Sequence, residues 1–465
     1  PIIRRQLQIS YSNEVIQDPV KVISQLNNMP LLLKLMSVCP VADLDLENLF
    51  KRLRASILST VSSLMVQPGV LRFQVALAQQ CFINEYIYNQ SKDEKKAVKA
   101  LEKKITKSKK NNEKPSPTAV LALASYKALY QYEWHHLLTV TDEIKDVYKQ
   151  QVLEPNQETK LKASIPSLAN ITDRVSSKVR EQYEESPYPR WINLGLRFDS
   201  ITISDVIDEV NLKIFDKKIC DVMNPNILIA GCGTGQHSIE VAARFKGSKV
   251  LAIDLSLSSL AYAKRKTQEL EIKNIEYMHA DILDLGKLKR QFDVVESAGV
   301  LHHMDDPMAG WRVLRDCLKT GGLMKIGLYS ELARQHIVKT RQETMNEGNF
   351  SNTEEMKLLR DIFKTSRKEH HKQISSSADF YSTSTLRDMI FHTQEHRFTI
   401  PQIKAYLKEL KLEFCGFESD IIVSHFNELN THQGDSYNLD KWEDYEHSFP
   451  STFLGMYQFW CQKTD

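Results

Sequence analysis

Residues 226–254 read NILIAGCGTGQHSIEVAARFKGSKVLAID. An apolar run enters a turn built on Gly231, Gly233 and Gly235. An amphipathic stretch follows, and a second apolar run ends on Asp254. Apolar runs that read as strands, alternating with helical patterns, imply a parallel α/β sheet.

Downstream, the alternation continues. IEYMHADIL (275–283) predicts a third strand, FDVVESAG (292–299) a fourth and GLMKIGLYS (322–330) a fifth. TIPQIKAYLKELK (399–411) predicts a helix with Thr399 as N-cap and Pro401 in its first turn. LEFCGFE (412–418) and FLGMYQFWCQ (453–462) supply strands six and seven. Between strands five and six lies a polar, helical stretch, ELARQHIVKTRQETMNEGNFSNTEEMKLLRDIFKTSRKEHHKQ (331–373). A smaller insertion separates the last two strands.

Upstream, residues 31–65, 71–90 and 118–138 carry apolar side chains at helical spacing. The charged stretch 91–117 offers a short stripe at Val98, Leu101 and Ile105, then a basic run that reads as an exposed helix and loop. EPNQETKLKASIPSLAN (154–170) is polar and turn-rich and marks a boundary. The division expected is a helical domain over 1–165, a core over 166–330, a helical cap over 331–396 and a C-terminal part over 397–465 that completes the sheet.

Composition sets bounds on function. The 465 residues are 42% hydrophobic and 26% charged, ordinary for a globular chain, and the net charge of +2 points to no nucleic acid. No apolar run is long enough for a membrane span. Seven cysteines without a CxxC pair favour a reducing, cytoplasmic setting. PIIRRQLQIS (1–10) has no apolar segment after its arginines and is not read as a signal peptide; it lacks Met, which reads as a truncated start.

The glycine turn narrows the ligand. Glycines let the backbone turn sharply and approach a ligand closely. The pattern is GxGxG, with Gln236 where a dinucleotide fingerprint has its third glycine, and no P-loop is present. Asp254 can accept both hydroxyls of a ribose. Asp281 can accept from an adenine amino group while Ile282 packs on the ring. An adenosine framed by two acids without a phosphate anchor suits S-adenosylmethionine (SAM).

With these residues in hand, 226–330 resembles a class I SAM-dependent methyltransferase, a Rossmann-like seven-stranded sheet, here with a helical N-terminal domain and a cap inserted after strand five. The resemblance implies that the turn at Gly231, Cys232, Gly233 and Gly235 faces the methionine moiety. It places Asp254 and Leu255 at the ribose and Asp281 and Ile282 at adenine. ESAGVLHHMDDP (296–307) matches the strand-four segment lining the methyl-donor pocket, which adds Ser297, and LKTGGLMKI (318–326) matches the turn into strand five.

Acceptor-side candidates follow. VREQYEESPYPRWINLG (179–195) resembles a segment that folds over the cofactor in related bacterial proteins; it contributes Tyr183 and Arg190 to the cofactor and Tyr188 and Trp191 to the acceptor. It reads equally as an aromatic staple between domains. In DFYSTSTLRDMIFHTQEHRFT (379–399), Phe380, Tyr381, His392, His396, Arg397 and Phe398 form either a cap over the site or a cap core with surface histidines. His302 and Glu296 are candidates to face the acceptor. A metal site from His302, His303 and Asp305 matches no standard zinc spacing, so no metal is expected. The [DN]PP[YFW] pattern of enzymes that methylate bases or glutamine amides is missing, which weakens those acceptors.

The whole chain resembles the rickettsial protein-lysine methyltransferases acting on outer membrane protein B. That resemblance implies methyl transfer to lysine nitrogens of a large, lysine-rich surface protein, releasing S-adenosylhomocysteine. Aromatic faces at Tyr188, Trp191 and Tyr381 could hold the ammonium by cation–π attraction. A small-molecule N- or O-methyltransferase and a non-catalytic methyltransferase-like scaffold stay open, as does a homodimer.

Overall fold

The computed structural model describes residues 16, 18–61, 68–110, 113–185, 187–197, 199–347, 352–432 and 434–465. The N-terminal stretch 1–10, Asn111 and Asn112 of the basic run, Ser186 of the 179–195 segment and residues 348–351 of the insertion lie outside them. The chain forms two compact units. A helical unit contains Pro1–Gln157, Arg190–Asn193 and Thr340–Phe391; an α/β unit contains Glu158–Pro189, Leu194–Lys339 and His392–Asp465.

The α/β unit is built on β1 (Asn226–Ala230), β2 (Lys249–Asp254), β3 (Ile275–His279), β4 (Phe292–Ala298), β5 (Leu318–Leu328), β6 (Leu412–Phe417) and β7 (Tyr457–Lys463). The sheet order is β3-β2-β1-β4-β5-β7-β6. β1 to β5 pair in parallel, and β7 runs antiparallel to both β5 and β6. The strand order reverses between β1 and β4, where open α/β sheets place their ligands. β1 is buried on both faces and reads as a near-continuous apolar run; β4 is as buried but carries Asp293, Glu296 and Ser297 among its apolar residues. Leu228, Val295 and Met324 pack on one side with Trp311, Ile403 and Trp442. Ile227, Ile229 and Val294 pack on the other with Val206, Val241 and Leu260.

Strand five starts earlier than its apolar run suggests. Leu318–Gly321 is already strand, with Leu318 paired to Phe292. Gly321 adopts φ +81° and the register shifts between Phe292 and Val294, so the turn expected from Gly321 and Gly322 is absorbed as a bulge. The 399–411 helix begins at Ile400, capped by Thr399 with Gln402 closing a capping box.

In the helical unit, the 31–65 pattern divides into helices Pro30–Val38 and Leu44–Thr60, because Pro40 cannot continue the first and Asp43 caps the second. The 118–138 pattern yields only the helix Pro117–Ala124. Its residues Thr118–Ala124 are all buried, so it has no polar face, and short turns follow. The basic stretch forms the helix Lys92–Lys110, which buries Leu101 and Ile105.

Most of the insertion belongs to this unit instead of standing alone. Arg360 donates two bonds to Glu47, at 2.8 and 2.6 Å, and a third to the carbonyl of Phe380 at 2.7 Å. Lys364 adds a third contact to Glu47 at 2.6 Å. Burial opposes charge on Glu47, but Arg360 and Lys364 outweigh it and hold the carboxyl down to about 2. Among the described residues no helix is long and apolar enough to cross a membrane. All seven cysteines are free.

Candidate active site

The site lies at the C-terminal ends of β1, β2 and β4. Gly231 and Cys232 both donate to the carbonyl of Ile253 at 2.9 Å, which pins the turn to β2. Gly233 sits at φ +52°, and a Cβ there would stand 2.9 Å from the carbonyl oxygen of Tyr188. Its missing side chain is thus the space through which the 187–189 segment passes. Thr234 Oγ1 donates to the carbonyl of Pro189, closing the same contact. Gly235 then caps the helix Gln236–Arg244.

Asp254 ends β2. Its carboxylate accepts from the backbone N–H of Gly233 and of Ser256, each at 2.8 Å. Burial pushes its pKa up to about 6, against the pull of those two amides. Asp281 follows β3, is 4% exposed and accepts from the N–H of Leu283 at 3.0 Å. Burial raises its pKa as well, despite Ser176 and Leu283. Among the described residues, no cationic side chain forms an ion pair with either acid. Two carboxylates without counter-cations, beside a turn with no phosphate-binding lysine, suit the neutral hydroxyl and amino donors of an adenosine. Ile282 is buried beside Asp281. The carbonyl of Leu255 is engaged by His279 Nε2 at 3.0 Å.

Helix Arg174–Glu185 brings Tyr183 to this rim. Ser256 Oγ donates to the carbonyl of Tyr183 at 3.1 Å, and Ser258 donates to Glu184 through its N–H at 3.1 Å and its hydroxyl at 2.6 Å. From Tyr183 a row of rings extends. Its centroid is 6.3 Å from that of Tyr188 and 5.9 Å from that of His392, which stacks on His303 at 3.6 Å. His303 meets His302 edge to face at 4.3 Å, and His302 stacks on Tyr329 at 3.9 Å.

His302 is fully buried, and neither ring nitrogen has a hydrogen-bond partner. Burial, reinforced by neighbouring His303 and Arg334, drives its pKa well below the ordinary value, so the imidazole is neutral. A buried neutral ring with two unspent nitrogens can accept from, or donate to, a polar group brought beside it.

Other candidates are already engaged. Ser297 Oγ donates to the carbonyl of Ala230 at 3.1 Å and ties β4 to β1. Cys232 is buried, and burial raises its thiol well above the ordinary value. Glu296 is 2% exposed and lies 2.7 Å from His237 Nε2. It lines a cleft of about 340 Å3 shared with Lys325, Arg244 and Glu418. There charges alternate: Lys325 is 4.0 Å from Glu296 and 3.1 Å from Glu418, which pairs with Arg244 at 3.3 Å.

Arg190, Trp191 and Tyr381 belong to the helical unit. There Arg190 pairs with Glu85 at 3.3 Å, Trp191 is buried, and Tyr381 donates to the carbonyl of Ser375 at 3.1 Å. Phe380 is likewise buried there, over the Arg360 guanidinium, whereas His392, His396, Arg397 and Phe398 belong to the α/β unit. Sequence reasoning passed over His237 and Tyr329. His237 is the second residue of a helix and Tyr329 follows an apolar run, and neither carries a local signature.

Residues 227–322 match the model of a methyltransferase domain. An uncharacterised protein of Synechococcus is 27% identical over 236 residues, 48% of this chain and 56% of that protein. The demethylmenaquinone methyltransferase of Oceanobacillus iheyensis is 25% identical over 241 residues, 51% of this chain and 96% of that enzyme. Among solved structures, PKMT2 of Rickettsia typhi in complex with AdoHcy is 17% identical with a TM-score of 0.43, over 58% of this chain and 55% of that one. The chain spans just over half of the Synechococcus protein and of PKMT2. It carries a SAM-dependent methyltransferase domain of class I, and its cofactor is SAM.

Proposed function

We propose that the chain methylates lysine side-chain nitrogens of a bacterial surface protein, such as an outer membrane protein, in the cytoplasm before export. The observation that carries this reading is the row of aromatic and imidazole faces from Tyr188 to Tyr329, running from the glycine turn to the buried, unpartnered His302. Tyrosine faces attract an ammonium and its methylated products, by about 0.5–2 kcal/mol per ring, and Tyr329 already holds the Arg334 guanidinium 3.4 Å from its centroid. The resemblance read from the sequence to rickettsial protein-lysine methyltransferases favours the same acceptor.

Bound SAM supplies an electrophilic methyl group on a sulfonium. Asp254 holds the ribose hydroxyls and Asp281 the adenine amino group. Gly233 lets the backbone approach and lets the 187–189 segment cross above it. The acceptor ammonium must lose a proton to expose its lone pair. His302 is too weak a base to take that proton outright, so solvent takes it. The neutral imidazole then accepts a hydrogen bond from the amine N–H and aims the lone pair.

A second reading, a small-molecule N- or O-methyltransferase, is favoured by the relative from Oceanobacillus iheyensis, which is covered almost end to end. The two separate in one experiment. Labelled SAM is offered to a recombinant lysine-rich surface-protein fragment and, in parallel, to a panel of amines and phenols. Methyl-lysine in the protein, identified by mass spectrometry, is the expected result. Label confined to the small molecules would overturn the lysine reading. No transfer to any acceptor, with S-adenosylhomocysteine still raising Tm, would point to a scaffold.

A further inference from the structure

Within the helical unit, three ligand-type side chains converge. Glu343 comes from the helix Gln335–Glu347, and His370 and His371 from the start of the helix Glu369–Ser376. Glu343 Oε1 is 3.1 Å from His370 Nε2, and Oε2 is 3.1 Å from His371 Nε2. One ligand atom from each residue lies within 4.8 Å of the other two. Both Nε2 atoms are buried and face the Glu343 carboxylate without the alignment of a regular hydrogen bond, so the three ligand atoms point at a shared space.

The rings stand edge to face, centroids 4.5 Å apart. His371 Nδ1 is 2.8 Å from Ser366 Oγ, the kind of outer partner that fixes the ring of a metal-bound histidine. The side chain of His371 is 6% exposed, that of His370 16% and that of Glu343 35%, so the cluster is walled on one side and open on the other.

We propose that Glu343, His370 and His371 bind a divalent transition cation, zinc first. Two imidazoles and one carboxylate are its ordinary nitrogen and oxygen donors, and three protein ligands leave a fourth position for water. The ammonium of Lys368, 2.8 Å from Glu343 Oε2, sits at the same carboxylate. Its side chain is 54% exposed and can swing into solvent when a cation enters. The bound ion cross-links the two helices and stabilises the insertion through linkage.

The test titrates the metal-stripped full chain with Zn2+ against a chromophoric chelator and repeats it with Co2+, read by its visible d–d bands. Wild type is expected to take up one equivalent at this site and to gain Tm. Removing a ligand costs at least the 10–100-fold typical of outer-shell changes, so His370→Gln and Glu343→Gln lose about 100-fold or more in affinity. Lys368→Met, which leaves all three ligands in place, is expected to tighten binding. Wild-type affinity in His370→Gln and Glu343→Gln, or weaker binding in Lys368→Met, would overturn the site. All variants should keep the Tm rise with S-adenosylhomocysteine, which checks folding and separates this site from the methyl-donor site.

Discussion

His237 Nε2 stands 2.7 Å from Glu296 Oε2, so the buried carboxylate of β4 is engaged by the helix that follows the glycine turn. The contact spans the point where the strand order reverses between β1 and β4. Burial opposes the charge of Glu296, and His237, with Lys325 and Arg244 behind it, reverses that effect and holds its pKa below the ordinary value. Stability from such a carboxylate is present above its unfolded-state pKa and is lost as pH falls through the folded one. His237→Ala leaves a buried acceptor short of a donor and is expected to cost roughly 1–3 kcal/mol. Urea melts at neutral pH measure it, and the acid limb of the Tm profile should move upward. If Glu296→Gln instead abolishes methyl transfer with Tm unchanged, Glu296 acts on the acceptor directly.

Asp254 presents the opposite sign. Its pKa is raised to about 6, so the folded domain holds this proton more tightly than the unfolded chain does. The stabilising effect of the proton is complete below about 4 and lost as pH rises through about 6. The proposed ribose contact needs the reverse, because only an ionised carboxylate would accept both hydroxyls. Affinity for S-adenosylhomocysteine, read by calorimetry, should therefore fall as pH drops below about 6. Asp254→Asn should raise the Tm of the ligand-free protein at pH 8 and weaken S-adenosylhomocysteine by about 10–100-fold, the effect of roughly 1–3 kcal/mol.

Much of this was legible in sequence. The seven apolar runs fall on the seven strands, because buried strands must be apolar and their flanking turns must be polar or glycine-rich. Asp254 and Asp281 were legible because strand ends fix their places. Chain neighbours that part company were not. Phe380 and Tyr381 pack in the helical unit, while His392 joins the ring row of the α/β unit. The pairing of His237 with Glu296, and of Glu47 with Arg360, joins residues far apart in the chain, and no local period reports it.

Gly233 is tested by the smallest side chain. Gly233→Ala puts a Cβ 2.9 Å from the Tyr188 carbonyl oxygen at φ +52°. The left-handed backbone alone costs about 1 kcal/mol for a non-glycine residue, and the backbone contact cannot yield as a side chain could. The expected outcome is a lower Tm together with loss of the S-adenosylhomocysteine-induced shift. An unchanged shift would mean that the passage of residues 187–189 over the turn is not part of the donor site.

His302 separates stability from function. Its ring is 0% exposed, stacked on Tyr329, with both nitrogens unspent. A group placed for packing alone would be better as an apolar ring. His302→Phe removes two unsatisfied buried polar atoms and should hold or raise stability, by up to about 1–3 kcal/mol. If the imidazole aims the acceptor lone pair, the same change lowers kcat by about 100-fold with little effect on S-adenosylhomocysteine affinity. Calorimetry, a thermal melt and single-turnover methyl transfer read the three quantities on one preparation. Unchanged kcat with raised Tm would assign His302 to the core and move acceptor positioning to the other rings of the row. A fall in kcat with Tm held or raised would make His302 the residue that gives up stability for the reaction.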